Sequence, residues 1–327
     1  GAVVRPGRAD SRPALVAERG FAYGQPVLRE APLLVVPQRA GAFLKAAGTE
    51  GMVEAARRLG DASRLAAFAA FLRLPQPQRE EILAMAVSKG CTLVRDTKRV
   101  VAMFLKDFPQ FGGALDWDLF CNVVGIVSDR GTVLPSGDRV LHRLSSCAAH
   151  SCSPNAVVET LDESGLREVR AIAYQGIAEG EAITLSYVEE ETLVLPLERR
   201  QEALRKARGG AACVCTRCSA GDDAEAVTPL LQCVCEARKG MDEAPLRERL
   251  EGLRRLDALL PFAMVGKTRA RSRLAEACEA CAGEALLAQA AALYEDTIEE
   301  TKVVLGQKGW HNADNIKMRL KKLVVEE

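Results

Sequence analysis

Charge of one sign is what this chain lacks first. Its 44 Lys and Arg stand against 44 Asp and Glu, so the formal net charge is zero. That balance argues against a protein that coats nucleic acid by bulk charge; it leaves a local basic groove open but gives no strong nucleic-acid signal. Long apolar runs are missing too. Stretches such as Leu33–Pro37 and Ala66–Leu72 fall far short of the ~20 residues that cross a bilayer, so no membrane span is expected. Gly1–Asp10 does not read as a signal peptide, being mixed and carrying Arg5, Arg8 and Asp10, although a trimmed targeting segment stays open. Aromatic residues are scarce, at 5%, and only four of them are tyrosines. Apolar content, by contrast, is 48%, which speaks against disorder. At about 150 residues per domain, 327 residues suggest roughly two domains, each able to bury a core.

Cysteine is plentiful, with eleven in the chain. An odd number without a secretory signal reads poorly as a disulfide framework. The later cysteines cluster as Cys213-x-Cys215-x-x-Cys218, Cys233-x-Cys235 and Cys278-x-x-Cys281. That is metal-ligand spacing, and it points to a reducing compartment, the cytoplasm or the nucleus or both.

Patterning divides the chain. Residues 14–37 read as two or three short strands. Residues 50–107 change to helical spacing, at Met52–Leu59, Ser63–Leu74, Arg79–Val87 and Asp96–Lys106, with Pro75 and Pro77 as breaks. Strands return at Asn122–Val127, Ala156–Thr160, Glu168–Ala173 and Ala182–Tyr187, before a short helix over Glu198–Arg208. From about 242 onward Ala, Leu, Glu, Arg and Lys recur at helical period, predicting helices near 245–260, 268–300 and 312–324. An ordinary helical domain is the plain reading of that tail, and its Ala-rich helices could pack against a second copy of the chain.

The middle of the chain holds the strongest signal. Ala149-His150-Ser151-Cys152-Ser153-Pro154-Asn155 precedes a strand pair and then Gly180-Glu181-Ala182-Ile183-Thr184-Leu185-Ser186-Tyr187. Glu198-Arg199-Arg200 and the Cys213–Cys218 cluster follow. This order resembles the SET-domain protein lysine methyltransferases, and among them the SMYD branch. Leu15-Val16-Ala17 and Leu28-Arg29-Glu30-Ala31-Pro32 look like that family's opening β-element, and Cys121-Asn122 like the start of its Asn-bearing strand.

The resemblance implies an α+β chain built on the SET fold, small β-sheets wrapped into a pseudoknot. It divides as N-terminal SET strands (1–37), a helical insert (38–118), core SET (119–208), a zinc-bound post-SET segment (209–240) and an α-helical C-terminal domain (241–327). It implies S-adenosyl-L-methionine as cofactor and a lysine-bearing protein or peptide, histone or not, as substrate. Tyr187 becomes the catalytic phenol, orienting amine and methyl group by hydrogen bonding, since methyl transfer to a neutral amine is mostly a matter of positioning. Arg12, Pro13, Ala14, Asn122, Ala149 and His150, with Tyr187, would line the cofactor pocket. His150 would act there through its backbone, not as a general base. Cys152 stands 61 residues before Cys213; with Cys215 and Cys218 the four would close a structural zinc site. Cys233, Cys235, Cys278 and Cys281 offer a second, giving two zinc per chain, against a reading of these thiols as small core residues.

Several positions depart from the family. Arg12-Pro13-Ala14 stands where Gly-x-Gly is usual, Ala149 replaces an Asn, and Gly209, Gly210 and Ala211 stand where aromatics line the pocket. Residues 38–120 hold one cysteine, Cys91, so the zinc-binding MYND module is missing, as in some protozoan lysine methyltransferases, an apical-complex enzyme of apicomplexan parasites among them. The departures leave a second expectation open, a catalytically weak or inactive SET scaffold that binds protein partners. Of the remaining motifs, His311 reads as a packing or capping residue, and Glu189-Glu190-Glu191 as either an acidic turn or a source of negative potential at the channel mouth.

Overall fold

The computed structural model describes residues 2–5, 14–46, 54, 62–85, 92–113, 115–208, 212–221, 224–281, 283–309 and 313–325. Arg12, Pro13, the helix expected at Met52–Leu59 apart from Glu54, Cys91, Gly209–Ala211 and His311, singled out above, lie outside these residues.

Short strands form small sheets. Strands β1 (Ala2–Arg5) and β2 (Ala14–Ala17) pair antiparallel, with Val3 opposite Val16. Strands β3 (Pro26–Glu30) and β4 (Leu34–Val36) lead, among the described residues, into helices α1 (Ala40–Ala46), α2 (Ala62–Leu72), α3 (Gln76–Ala84), α4 (Thr92–Asp107) and α5 (Trp117–Arg130). Then come β5 (Thr132–Val133), β6 (Arg139–Leu141), β7 (Ala149–His150), β8 (Ala156–Thr160), β9 (Arg167–Ala171) and β10 (Thr184–Leu185). Strand β9 lies between β3 and β8, and β6 between β4 and β5, while β7 and β10 form a separate parallel pair. Among the described residues the remaining elements are helices: α6 (Glu190–Leu193), α7 (Leu197–Arg208), α8 (Thr216–Ser219), α9 (Ala224–Cys235), α10 (Glu243–Leu259), α11 (Val265–Cys281), α12 (Glu284–Gly309) and α13 (Asp314–Val325).

Two expectations from patterning are corrected. Asn122–Val127 is not a strand but the middle of α5. Its run of β-branched residues suits either element, because a short apolar run does not separate a buried strand from a buried helix. The N-terminus decides: Asp116 accepts a hydrogen bond from the Leu119 N–H at 2.9 Å, which caps a helix. The helical layer therefore runs on to Arg130, past the boundary expected at 118. The single helix expected over 268–300 is two, α11 and α12, joined at Gly283, whose carbonyl accepts from Leu286 and Leu287 N–H.

Among the described residues, four apolar clusters hold these elements. Helices α2 to α5 close over Phe68, Phe71, Phe104 and Phe120, with the Phe68 and Phe120 rings edge-to-face at 5.5 Å. Leu15, Phe21, Val169 and Ile183 fill the sheet core. Leu274, Cys278, Ala290 and Tyr294 lie between the C-terminal helices. The fourth cluster, with Ile172, Leu193, Leu260, Phe262 and Met264, joins sheets to helices. At this junction Gly176 takes φ 76° against the Phe21 carbonyl, where any side chain would collide with that oxygen.

Candidate functional site

The site is assembled where β7 and β10 run side by side, Thr184 opposite Ala149 and Leu185 opposite His150. Asn155 ties the two segments together. Its Nδ2 donates to Glu181 Oε1 at 2.8 Å and to the Ala182 carbonyl at 2.9 Å, and its Oδ1 accepts from Thr184 N–H at 2.8 Å. The Ser151 N–H donates to the Leu185 carbonyl at 3.0 Å. With its amide bonded at both ends, Asn155 is well suited to a buried post, 7% exposed. Asn155 and Glu181 were quoted above as parts of motifs, with no role given.

Tyr187 follows β10 directly. Its N–H donates to His150 Nδ1 at 3.1 Å, and its hydroxyl donates to the Ala148 carbonyl. The two rings lie 5.5 Å apart. Because Nδ1 accepts, the neutral imidazole carries its proton on Nε2, which points at Cys152 Sγ at 3.4 Å. His150 thus links the phenol's backbone to the sulfur cluster.

That cluster is Cys152, Cys213, Cys215 and Cys218, all four sulfurs within 4.8 Å of one another. The distance from Cys218 Sγ to Cys152 Sγ is 3.5 Å. Zinc bonded to four sulfurs at about 2.3 Å holds them roughly 3.8 Å apart, so the donor set and its spacing fit that ion. The outer contacts fit as well: Cys152 N–H donates to Cys215 Sγ at 3.4 Å and Cys215 N–H to Cys213 Sγ at 3.5 Å. Sharing protons with Cys213 and Cys215 pushes the Cys152 thiol up, whereas accepting from Cys152 and Cys213 holds Cys215 down. Four thiolates this close need a cation between them.

Two residues not anticipated from the sequence position the cluster. Gln201 on α7 brackets Cys213, accepting from its N–H at 2.7 Å and donating to its carbonyl at 2.9 Å. Arg217 donates to the Cys152 carbonyl at 3.1 Å and to the Leu193 carbonyl at 2.6 Å. Arg217 was visible only as an unnamed position inside the cysteine motif; its partners lie 65 and 24 residues away.

The second cysteine set is not gathered in the same way. Among the described residues, Cys233, Cys235, Cys278 and Cys281 form no such group. Cys233 and Cys235 both lie in helix α9, where positions two apart face away from each other. Cys278 is fully buried, and that burial pushes its thiol up to about 11. Cys278 belongs to the core of the C-terminal helices, with Cys235 and Cys281 packed against it.

Tyr187 opens onto a cavity of about 460 Å3 between sheet and C-terminal helices. Val157, Ile172, Leu185, Phe262 and Met264 give it apolar walls, and Arg130, Ser145, Arg167 and Glu190 line it too. The middle glutamate of the acidic turn is engaged: Glu190 accepts from the Val265 and Gly266 N–H groups, at 2.8 and 2.7 Å, at the start of α11. Burial raises the Glu190 carboxyl above its usual range.

Asn122 is not brought to this site. It is exposed on α5 and does not line the cavity. Ala149 is exposed and Ala14 half-buried. In its two-stranded sheet β7 pairs with β10 along one edge.

A stretch of 75 residues is 39% identical to the histone-lysine N-methyltransferase ATXR2 of Arabidopsis thaliana, covering 23% of this chain and 15% of that protein. The chain thus spans far less than two thirds of that relative's length. No family model matches. Two solved structures are similar over the whole chain and 87% of their own: the SET domain of LSMT bound to lysine and AdoHcy, and Rubisco LSMT bound to sinefungin and monomethyllysine. Identity is 14% in both, with TM-scores of 0.32 and 0.34, values too low to carry an argument.

Proposed function

We propose that this chain is an S-adenosylmethionine-dependent protein lysine N-methyltransferase of the SMYD type, with one structural zinc ion held by Cys152, Cys213, Cys215 and Cys218. The observation that carries this reading is the placement of Tyr187: its backbone N–H bonds to His150, which meets the cysteine cluster, and the residue lines a cavity between sheet and helices. The identity to a stretch of a histone-lysine methyltransferase supports it. A reducing compartment, cytosol or nucleus, suits the four thiolates.

S-adenosylmethionine, when bound, supplies an electrophilic methyl carbon and leaves as a neutral thioether. Ala149 and His150 on β7 would hold it, with Ala14 as a further contact. The chain's own work is to deliver a neutral amine and aim it. A lysine ammonium has a pKa near 10.4 in water, and apolar walls lower it by disfavouring the charge. Val188, Leu193, Phe262 and Met264 form such walls. The Tyr187 hydroxyl and the Ala148 carbonyl, already hydrogen-bonded to each other, are the polar groups that would orient the amine. Catalysis of this kind rests on alignment and exclusion of water.

Calorimetry with S-adenosylmethionine and a methylation assay on lysine peptides test the reading. Tyr187→Phe should lower kcat by about 10- to 100-fold, the worth of one well-placed hydrogen bond in a dry site. Unchanged activity would remove Tyr187 from catalysis. Failure to bind the cofactor at millimolar concentration would favour a non-catalytic scaffold. Elemental analysis should find one zinc per chain.

A further inference from the structure

One wall of the Tyr187 cavity is fastened by a residue outside it. Val188, Glu189, Glu190 and Leu193 line the cavity along one stretch, and Pro154, Ala156, Val157 and Val158 along another. The first stretch leads into α6, a helix of four residues. One turn has too few internal hydrogen bonds to keep its own shape, so its ends have to be held from elsewhere. At the start, the Glu190 carboxylate takes the first α11 amides at 2.8 and 2.7 Å. Just past the end, the Val194 carbonyl accepts from Thr228 Oγ1 on α9 at 2.8 Å.

Arg217 holds the carbonyl between these two points. It lies inside the cysteine motif, on α8, and is 8% exposed. Its Nη1 donates to the Leu193 carbonyl at 2.6 Å and to the Cys152 carbonyl at 3.1 Å. Leu193 ends α6 and is itself part of the cavity wall; Cys152 stands two residues before Pro154, where the other stretch begins. One buried guanidinium thus joins two main-chain oxygens, each at the edge of a different wall. The charge on the donor strengthens both bonds. Arg217 does not itself line the cavity, so any effect it has on a ligand runs through the walls it joins.

From this geometry we infer that Arg217 is a positioning residue for the substrate: it braces the α6 wall against the wall that begins at Pro154, and so fixes the width of the cavity that receives the lysine-bearing peptide. Metal retention is left to the four thiols, and aiming the amine to Tyr187. Loss of the brace therefore falls on substrate acceptance and not on the chemical step, because a wall that must be ordered by the ligand weakens binding. The inference rests on the reading of this cavity as the lysine site.

The test compares the native chain with Arg217→Ala and Arg217→Lys in steady-state methyl transfer to a lysine peptide, with elemental analysis for zinc and backbone hydrogen exchange on the same samples. Arg217→Ala should raise KM by about tenfold or more, the worth of a charged hydrogen bond, with kcat within about threefold and one zinc per chain retained. Exchange should quicken at residues 188–194 and 154–158 and stay unchanged at 14–17. Arg217→Lys keeps the charge and donor hydrogens without the planar fork, so its KM should fall between the two. If Arg217→Ala does not melt cooperatively, Arg217→Lys carries the comparison, with KM about threefold or more above native. A native KM in a folded variant, a kcat that falls at constant KM, or zinc lost together with the rise in KM would overturn the brace. The two readings fail separately. Methyl transfer with an unmoved KM removes the brace alone. A native chain that transfers no methyl group removes the enzyme reading, and exchange at 188–194 then decides the brace: faster in the zinc-loaded variant supports it, unchanged removes it.

Discussion

His142 is fully buried, and its Nε2–H donates to the Gly165 carbonyl at 2.8 Å. Burial, and then the charge of Arg167, push it down to about 4. In the unfolded chain a histidine titrates near 6.5, so between these values the unfolded state binds more protons. Stability from this residue is full above about pH 6.5 and is lost as pH falls through 4. A shift of that size is worth roughly 3 kcal/mol. Urea unfolding at pH 7 and pH 4 should show a loss larger by about that amount in the native chain than in His142→Gln, which keeps a donor for Gly165. Parallel profiles would remove the assignment. At this scale the sequence spoke unevenly. Tyr187, His150 and Cys152 stand in short motifs, where spacing carries information. Glu190, Arg217 and Gln201 act on partners distant along the chain, and nothing beside them in sequence announces it.

Among the elements, α12 is the most constrained. Gly306 interrupts it at φ 58° and ψ −149°, a region only glycine occupies comfortably, and a side chain there would strike the Glu159 carboxylate. Arg170 on β9 donates to the Lys302 and Val303 carbonyls at 3.0 and 3.1 Å, just before this break. Gly306→Ala should cost about 2 kcal/mol or more in thermal unfolding; a smaller effect would mean the break is not required. The cysteine loop is the other element with a definite expectation. Chelation, or Cys213→Ser, should lower Tm and remove hydrogen-exchange protection at residues 212–219, because closing the ion's shell is what orders so short a segment. Protection that survives full zinc removal would argue against the site. Element type was readable wherever the period was clear, as in β8, α2 and α10. It failed at Asn122–Val127, where composition suited either element and the cap at Asp116 decided.

Across the whole molecule, the sheets and the helical end are joined by a buried set of charges. Asp257 pairs with Lys267 at 2.7 Å and Arg271 at 2.8 Å; Glu300 meets Arg271, accepts from Thr268 at 3.0 Å and takes the Tyr174 hydroxyl. Burial lowers Lys267 from its usual range, and its ammonium lies 4.5 Å over the Tyr174 ring. Removing one member strands the others, so Asp257→Ala should cost about 3–5 kcal/mol by denaturant unfolding. A loss under 1 kcal/mol would mean that water already reaches these groups. This network was invisible beforehand, since its members sit within stretches that read as ordinary amphipathic helix.

Glu190 sits three residues after the phenol and grasps the first amides of α11. Phe262, Ala263 and Met264, just upstream of that grip, are themselves part of the cavity wall. A shortened chain ending before Val265 would therefore not be a minimal working unit. It would release the carboxylate into water and unfasten one side of the chamber, so any dissection of this protein into independently expressed parts has to keep the start of α11 with the strands.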